Sequence, residues 1–278
     1  MSNAVSHPTI SRRGLGKRLK RRREEAGLSE QEAADLLGYT LKSVRRIEAG
    51  TQGTKQTTIE AFIKHYSISA DEASHLQTLR VRGAERGWWE DYIDKGTKED
   101  TRPDFPMFLE SEQIATRIQV FECEVIPGLL QTLGYLQAIQ DAQLPIPADV
   151  AERVRKLRER RQELFHGRAD APRMQFLMGE AAMLYLMRLD AGVRDGQVAR
   201  LREVAAMPGV EIRVLTELHA AVAGSFAILT TPDDFPPIVY TDHLDGCRYL
   251  EDVDVTSRYE QAFSAARKKS VSIEEYLR

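Results

Sequence analysis

The chain has 278 residues, 42% of them hydrophobic and 29% charged, with a formal net charge of −3. That composition excludes collagen-like and disordered classes and suits a globular chain of two domains. No stretch approaches the ~20 apolar residues that a bilayer crossing requires, so a cytoplasmic, nucleoid-associated protein without membrane contact is expected.

Charge is unevenly shared. Residues 1–66 hold 13 Lys and Arg against 7 Asp and Glu, a net of +6, and the remainder holds 26 against 35, a net of −9. A basic module followed by an acidic body favours a polyanion at one end only. Residues 1–14 read as a flexible basic arm, with Arg12 and Arg13 within reach of phosphate or the minor groove. A first helix over 15–26 turns Leu15 and Leu19 inward and Lys17, Arg18, Lys20, Arg21 and Arg22 outward. Most such charges are merely solvated, and two or three, Arg18 among them, are expected at phosphate.

Residues 28–50 are the organising stretch. Ser29 is placed to cap one short helix and Gly38 to end it in the left-handed conformation, while Thr40 caps a second helix that Gly50 closes. Ala34, Val44 and Ile47 face inward at the spacing of a helix-turn-helix. A helix displayed in this way fits a major groove about 12 Å wide with its first residues at base edges, which makes Thr40, Leu41, Lys42, Ser43 and Arg46 readers and Arg45 a further contact. The alternative is an ordinary surface helical hairpin with a positive end. Lys55, in a loop that crosses the DNA backbone, precedes a fourth helix over 57–66 and a fifth over 71–81 capped by Ser69.

These residues resemble the Xre and lambda-repressor family of DNA-binding domains. The resemblance implies an all-α domain of five helices, assigned to 15–83, and an internal ion pair between Arg23 and Glu48. The family commonly opens its second helix with a glutamine that touches DNA; here that place is Glu30, with Gln31 one residue later as the expected contact. A carboxylate near phosphate is repulsive, so affinity is expected from elsewhere. Leu41 stands where a polar base reader is usual and suits a thymine methyl.

Residues 84–107 read as a linker. Trp88 and Trp89 suit either a base-stacking platform or, more simply, an anchor on one of the cores. An α+β domain over 108–278, with a small mixed or antiparallel sheet, follows from alternating patterns: helices over 110–122, to 140, 148–165, 181–187, 196–206 and 252–268, and strands over 174–178, 210–215, 225–230, 238–241 and 248–250. The arginines of 148–165 suit a second nucleic-acid face, or ion pairs with interleaved glutamates on a solvated one.

Residues 125–132 (VIPGLLQT), the pair Arg161 and Gln162, 179–184 (GEAAML), 224–226 and 239–250 together resemble the carboxy-terminal domain of actinobacterial WhiJ-type regulators. That resemblance implies an antitoxin-like regulator of development or secondary metabolism, antagonised by a small partner protein encoded nearby. Enzyme readings fare poorly. Ser225 lacks the second glycine of a nucleophile elbow, no two histidines have metal-ligand spacing, and Asp242, His243 and Asp245 suit a polar turn. Cys123 and Cys247 are too few and too distant for a disulfide framework.

The expectation is therefore a non-enzymatic, cofactor-free transcription regulator. It acts as a repressor and a homodimer on a two-fold operator of double-stranded DNA, instructed through its second domain. The alternative is a sensor whose second domain encloses an apolar ligand. Trp88, Trp89, Pro127, Leu129 and Leu130 are the candidate ligand or partner surface.

Overall fold

The computed structural model describes residues 10–85, 87–93, 105–166, 168, 170–232, 237–244 and 246–278. The chain divides into two compact units, one built on residues up to 90 together with 105–110, the other mainly on 111–278. Residues 1–9 of the expected arm, and residue 86 and 94–104 of the expected linker, lie outside the described residues.

The first unit is all-α: α1 (Ile10–Glu25), α2 (Glu30–Leu37), α3 (Leu41–Glu48), α4 (Gln56–His65) and α5 (Ala70–Ala84). Each helix buries one stripe, and Leu15, Leu19, Ala33, Ala34, Val44, Ile47, Ile59, Phe62, Leu76 and Leu79 form the core. α1 starts earlier than the sequence pattern suggests. The backbone amides of Ile10 and Ser11 donate to the Glu110 carboxylate at 2.5 and 3.4 Å, which satisfies N–H groups that a helix start leaves open. Arg12 and Arg13 are therefore residues of a helix, which corrects their placement on an arm.

Two glycines let α1 lie against α3. A Cβ at Gly16 would stand on the carbonyl oxygens of Ile47 and Glu48, and one at Gly50 on the backbone of Arg13; Gly50 also has a φ of +69°. Trp88–Asp91 is a single 3-10 turn in which the two tryptophan rings meet edge to face at 5.9 Å, with Trp89 buried and Trp88 half-buried.

The second unit joins the end of α6 (Phe105–Ile114) to β1 (Arg117–Glu122), α7 (Leu133–Ala142), α8 (Ala148–His166), β2 (Arg173–Gly179), α9 (Glu180–Met187), α10 (Ala191–Ala205) and β3 (Val210–Leu215). β4 (Phe226–Thr230), β5 (Ile238–His243), β6 (Gly246–Leu250), α11 (Val253–Lys268), β7 (Ser270–Ser272) and α12 (Ile273–Tyr276) complete it. The strands form one mixed seven-stranded sheet in the order β6-β5-β4-β1-β2-β3-β7. β1, β2 and β3 run parallel at its centre, because the helices between them return the chain to the same edge, and the flanking strands are antiparallel. Residues 117–122, expected to continue a helix, are instead a central strand in which 118–121 are buried and Arg117 and Glu122 at its ends half-buried.

α11 covers one sheet face through Phe263 and Ala266, against Phe121, Leu177, Phe226 and Ile228. Beside this apolar patch a polar row crosses the three parallel strands: Gln119 donates to Gln175 at 3.0 Å, Gln175 to Glu211 at 2.9 Å, and Arg267 of α11 forks Glu211 at 2.7 and 2.8 Å.

The segment after β1 is held by side-chain amides. Gln131 donates to the Ile126 carbonyl at 2.7 Å, Gln162 to those of Gly128 and Gln131 at 3.1 and 2.8 Å, and Gln197 to that of Leu130 at 2.8 Å. The Gln197 side-chain oxygen accepts from the Thr132 amide at 2.7 Å. Irregular backbone can be buried here because its polar groups find these partners.

Candidate nucleic-acid interface

The helix-turn-helix is set by local chemistry. Ser29 has the extended backbone of a helix cap; its hydroxyl accepts from the Glu32 amide at 3.2 Å, while its own amide donates to the Glu32 carboxylate at 2.8 Å. The Ser29 hydroxyl also donates to that carboxylate at 2.6 Å, and this bond together with the one from the Ser29 amide holds the Glu32 carboxyl below its ordinary range. Gly38, at a φ of +68°, ends α2 in the left-handed conformation. Thr40 then caps α3, accepting from the Ser43 amide at 3.1 Å. Tyr39 in the turn hydrogen-bonds Thr58 of α4 at 2.6 Å, fixing the turn on the next helix.

α3 has two unlike sides. Val44, Ile47 and Glu48 are buried; Lys42, Arg45, Arg46 and Ala49 are exposed. Thr40 is exposed, and Leu41 and Ser43 are half-buried. Leu41, Lys42, Arg45, Arg46, Ala49 and Thr51 line a shallow, open concavity of about 620 Å³. On the inner side, Arg23 of α1 meets Glu48 through two bonds, Nε to Oε1 at 2.7 Å and Nη2 to Oε2 at 3.0 Å, and donates through Nη1 to the Leu28 carbonyl at 2.8 Å. The two side chains are 6% and 4% exposed.

The remaining expected contacts spread more widely. Gln31 is exposed and donates to Asp35 one turn on, at 2.9 Å. Lys55 is exposed at the cap position of α4, where its side chain makes no capping bond. Arg12 does not reach outward: its Nε donates to the Gly83 carbonyl at the end of α5, at 2.5 Å. Arg13 and Arg18 are half-buried.

Glu30 behaves differently from the bare repulsive carboxylate that the sequence suggests. Its Oε2 accepts from Arg45 Nε at 2.7 Å, and this bond holds the Glu30 carboxyl below its ordinary range. The link spans fifteen residues, so no helical spacing reveals it; the only signal was the unusual glutamate itself. Gly16 was also missed, although a glycine inside a helix of good helix formers is a sign of close backbone approach.

In the second unit, Pro127, Leu129 and Leu130 are buried, and in the first unit so is Trp89. Buried in this way, the four present no outer face to a partner protein, and their apolar area lies inside each unit. On α8, Arg153, Arg155, Lys156 and Arg160 pair with Asp149, Glu152, Glu159 and Glu163 of the same helix, as expected of a solvated face. Arg161 turns inward and forks Glu112 of α6. The Ser225 hydroxyl accepts from the Cys123 amide at 3.0 Å, and Asp245 lies outside the described residues. Among the described residues no three His, Cys, Asp or Glu side chains gather as a metal site, and no helix is long and apolar enough to cross a membrane.

A family model of the helix-turn-helix domain matches residues 15–76, which cover the capped pair α2 and α3, and this module is that of DNA-binding transcription regulators. A second model matches residues 105–277, more than half of the chain and almost all of the α+β unit. No curated protein matches the sequence. With the larger match covering 105–277, the chain belongs to the family described as a domain of unknown function, DUF5753, and carries a helix-turn-helix domain ahead of that region.

Proposed function

We propose that the protein is a sequence-specific repressor that reads duplex DNA through α3, pairs two copies on a two-fold operator, and takes its instruction through the second unit. The observation that carries the DNA-reading part is the two-sided α3, whose buried inner face fixes it while Lys42 and Arg46 stand exposed. One such helix reaches few bases, so two half-sites about 34 Å apart are the usual route to useful specificity. The basic charge of residues 1–66 favours DNA at this end, and the net negative charge of the remainder disfavours it.

For the input we favour a small partner protein encoded nearby, the antitoxin-like arrangement. We read the second unit as binding rather than catalytic, since Ser225 lacks the second glycine of a nucleophile elbow.

The test is Arg46→Ala in gel-shift titrations on duplexes from the protein's own promoter region. If Arg46 reads a base, affinity falls by roughly 1–3 kcal/mol. Unchanged binding removes Arg46 from the interface. Failure of the unaltered protein to shift any duplex at low salt removes the DNA-binding reading altogether.

A further inference from the structure

We propose that Glu30 is a positioning residue for DNA sequence choice: it holds Arg45 by Nε so that the two Nη groups meet the O6 and N7 edge of one guanine in each half-site. The inference rests on the DNA-binding reading above and gives that site a base preference.

The geometry begins with a bond between the two helices of the motif. Arg45 Nε donates to Glu30 Oε2 at 2.7 Å, from α3 to the first residue of α2. The Arg45 side chain is 60% exposed and that of Glu30 36%, so the pair lies on the outer surface. Arg45 also lines the concavity shared with Lys42 and Arg46. The bond uses Nε alone, and among the described residues nothing else engages the guanidinium. A guanidinium held at Nε presents Nη1 and Nη2 end-on as a planar fork, and the guanine major-groove edge offers two acceptors, O6 and N7, to such a fork.

Charge decides between base and backbone. A phosphate placed on the Arg45 fork would lie close to the Glu30 carboxylate, and the two anions repel. A guanine edge accepts hydrogen bonds without carrying net charge, so the neutral Arg45–Glu30 pair suits a base better than a phosphate. Pairing also removes the cost of a bare carboxylate facing a polyanion, and it orders a long side chain before DNA arrives, which lowers the entropy lost on binding. As a stabilising contact, an exposed ion pair contributes little, so its effect is expected in recognition rather than in folding.

The experiment selects binding sites from a randomised duplex library with the full chain, as wild type, Arg45→Ala, Glu30→Ala and Glu30→Gln, with thermal unfolding run alongside to confirm that each variant folds. Wild type is expected to enrich a motif with a fixed guanine in each half-site. Arg45→Ala should lose that preference by about 5- to 150-fold, the range for one bidentate pair. Glu30→Ala should lose part of it, about 3- to 10-fold, while binding random duplex more tightly because a negative charge is gone. Glu30→Gln, which keeps an acceptor for Nε, should restore most of the guanine preference.

Three outcomes overturn the proposal. If Glu30→Ala strengthens binding to every duplex and leaves the guanine preference intact, the carboxylate was only repulsive. If Arg45→Ala weakens all duplexes equally and lowers the salt slope by about one, Arg45 holds phosphate. If wild type enriches no motif, the DNA-reading assignment falls first and this inference with it, a result distinct from the other two.

Discussion

Two arginine–glutamate pairs tie α3 to its neighbours, one on each side of the helix. Arg23–Glu48 is sealed between α1 and α3 at 6% and 4% exposure; Arg45–Glu30 lies open at 60% and 36%. The chemistry is the same and the consequences differ. Inside, two charges removed from water must keep each other, and loss of either strands its partner. Outside, water screens both, so the pair can be exchanged for a third group without unfolding anything. A single helix is thus fixed on one face and left available on the other.

The largest expected effect tests the inner side. Arg23→Ala should lower stability by about 3–5 kcal/mol in urea unfolding, because Glu48 is left buried and the Leu28 carbonyl loses its donor. Arg45→Ala, measured in the same way, should barely move the curve. Equal losses would break the comparison.

Gly16→Ala should cost roughly 1–3 kcal/mol, since the new methyl meets the carbonyls of Ile47 and Glu48. A net gain, as helix propensity alone would give, would mean that α1 and α3 can separate freely. Next, Ser29→Ala should remove about 1 kcal/mol through loss of the α2 cap, read by thermal unfolding.

The smallest effect is one of acidity. The Arg22 hydrogen bond holds the Glu72 carboxyl below its ordinary range. With the folded pKa below the unfolded one, the contribution is full above the ordinary glutamate pKa and is lost as the pH falls through the folded value. Glu72→Gln should therefore flatten the acid limb of a stability-against-pH curve, and an unchanged limb would deny the bond that role.

Much of the first unit was legible because its signals are local. Ser29, Gly38 and Thr40 each determine backbone within a few residues, and the inward set of Ala34, Val44 and Ile47 follows from a 3.6-residue period. β1 was not legible. Ile114, Ala115, Ile118 and Phe121 fit a helical stripe, yet 118–121 are buried on both faces of a central strand, where the period-two alternation that marks a strand disappears. The start of α1 depends on Glu110, a hundred residues away, and the Arg45 link on a neighbouring helix; neither distance has a periodic trace.

The amide clamp around residues 126–132 has a consequence of its own. Gln131, Gln162 and Gln197 each join a neutral side-chain amide to a backbone carbonyl, so these bonds should ignore ionic strength and moderate changes of acidity alike. Brine strong enough to strip a basic helix from a nucleic acid would leave these amide bonds of the α+β fold intact.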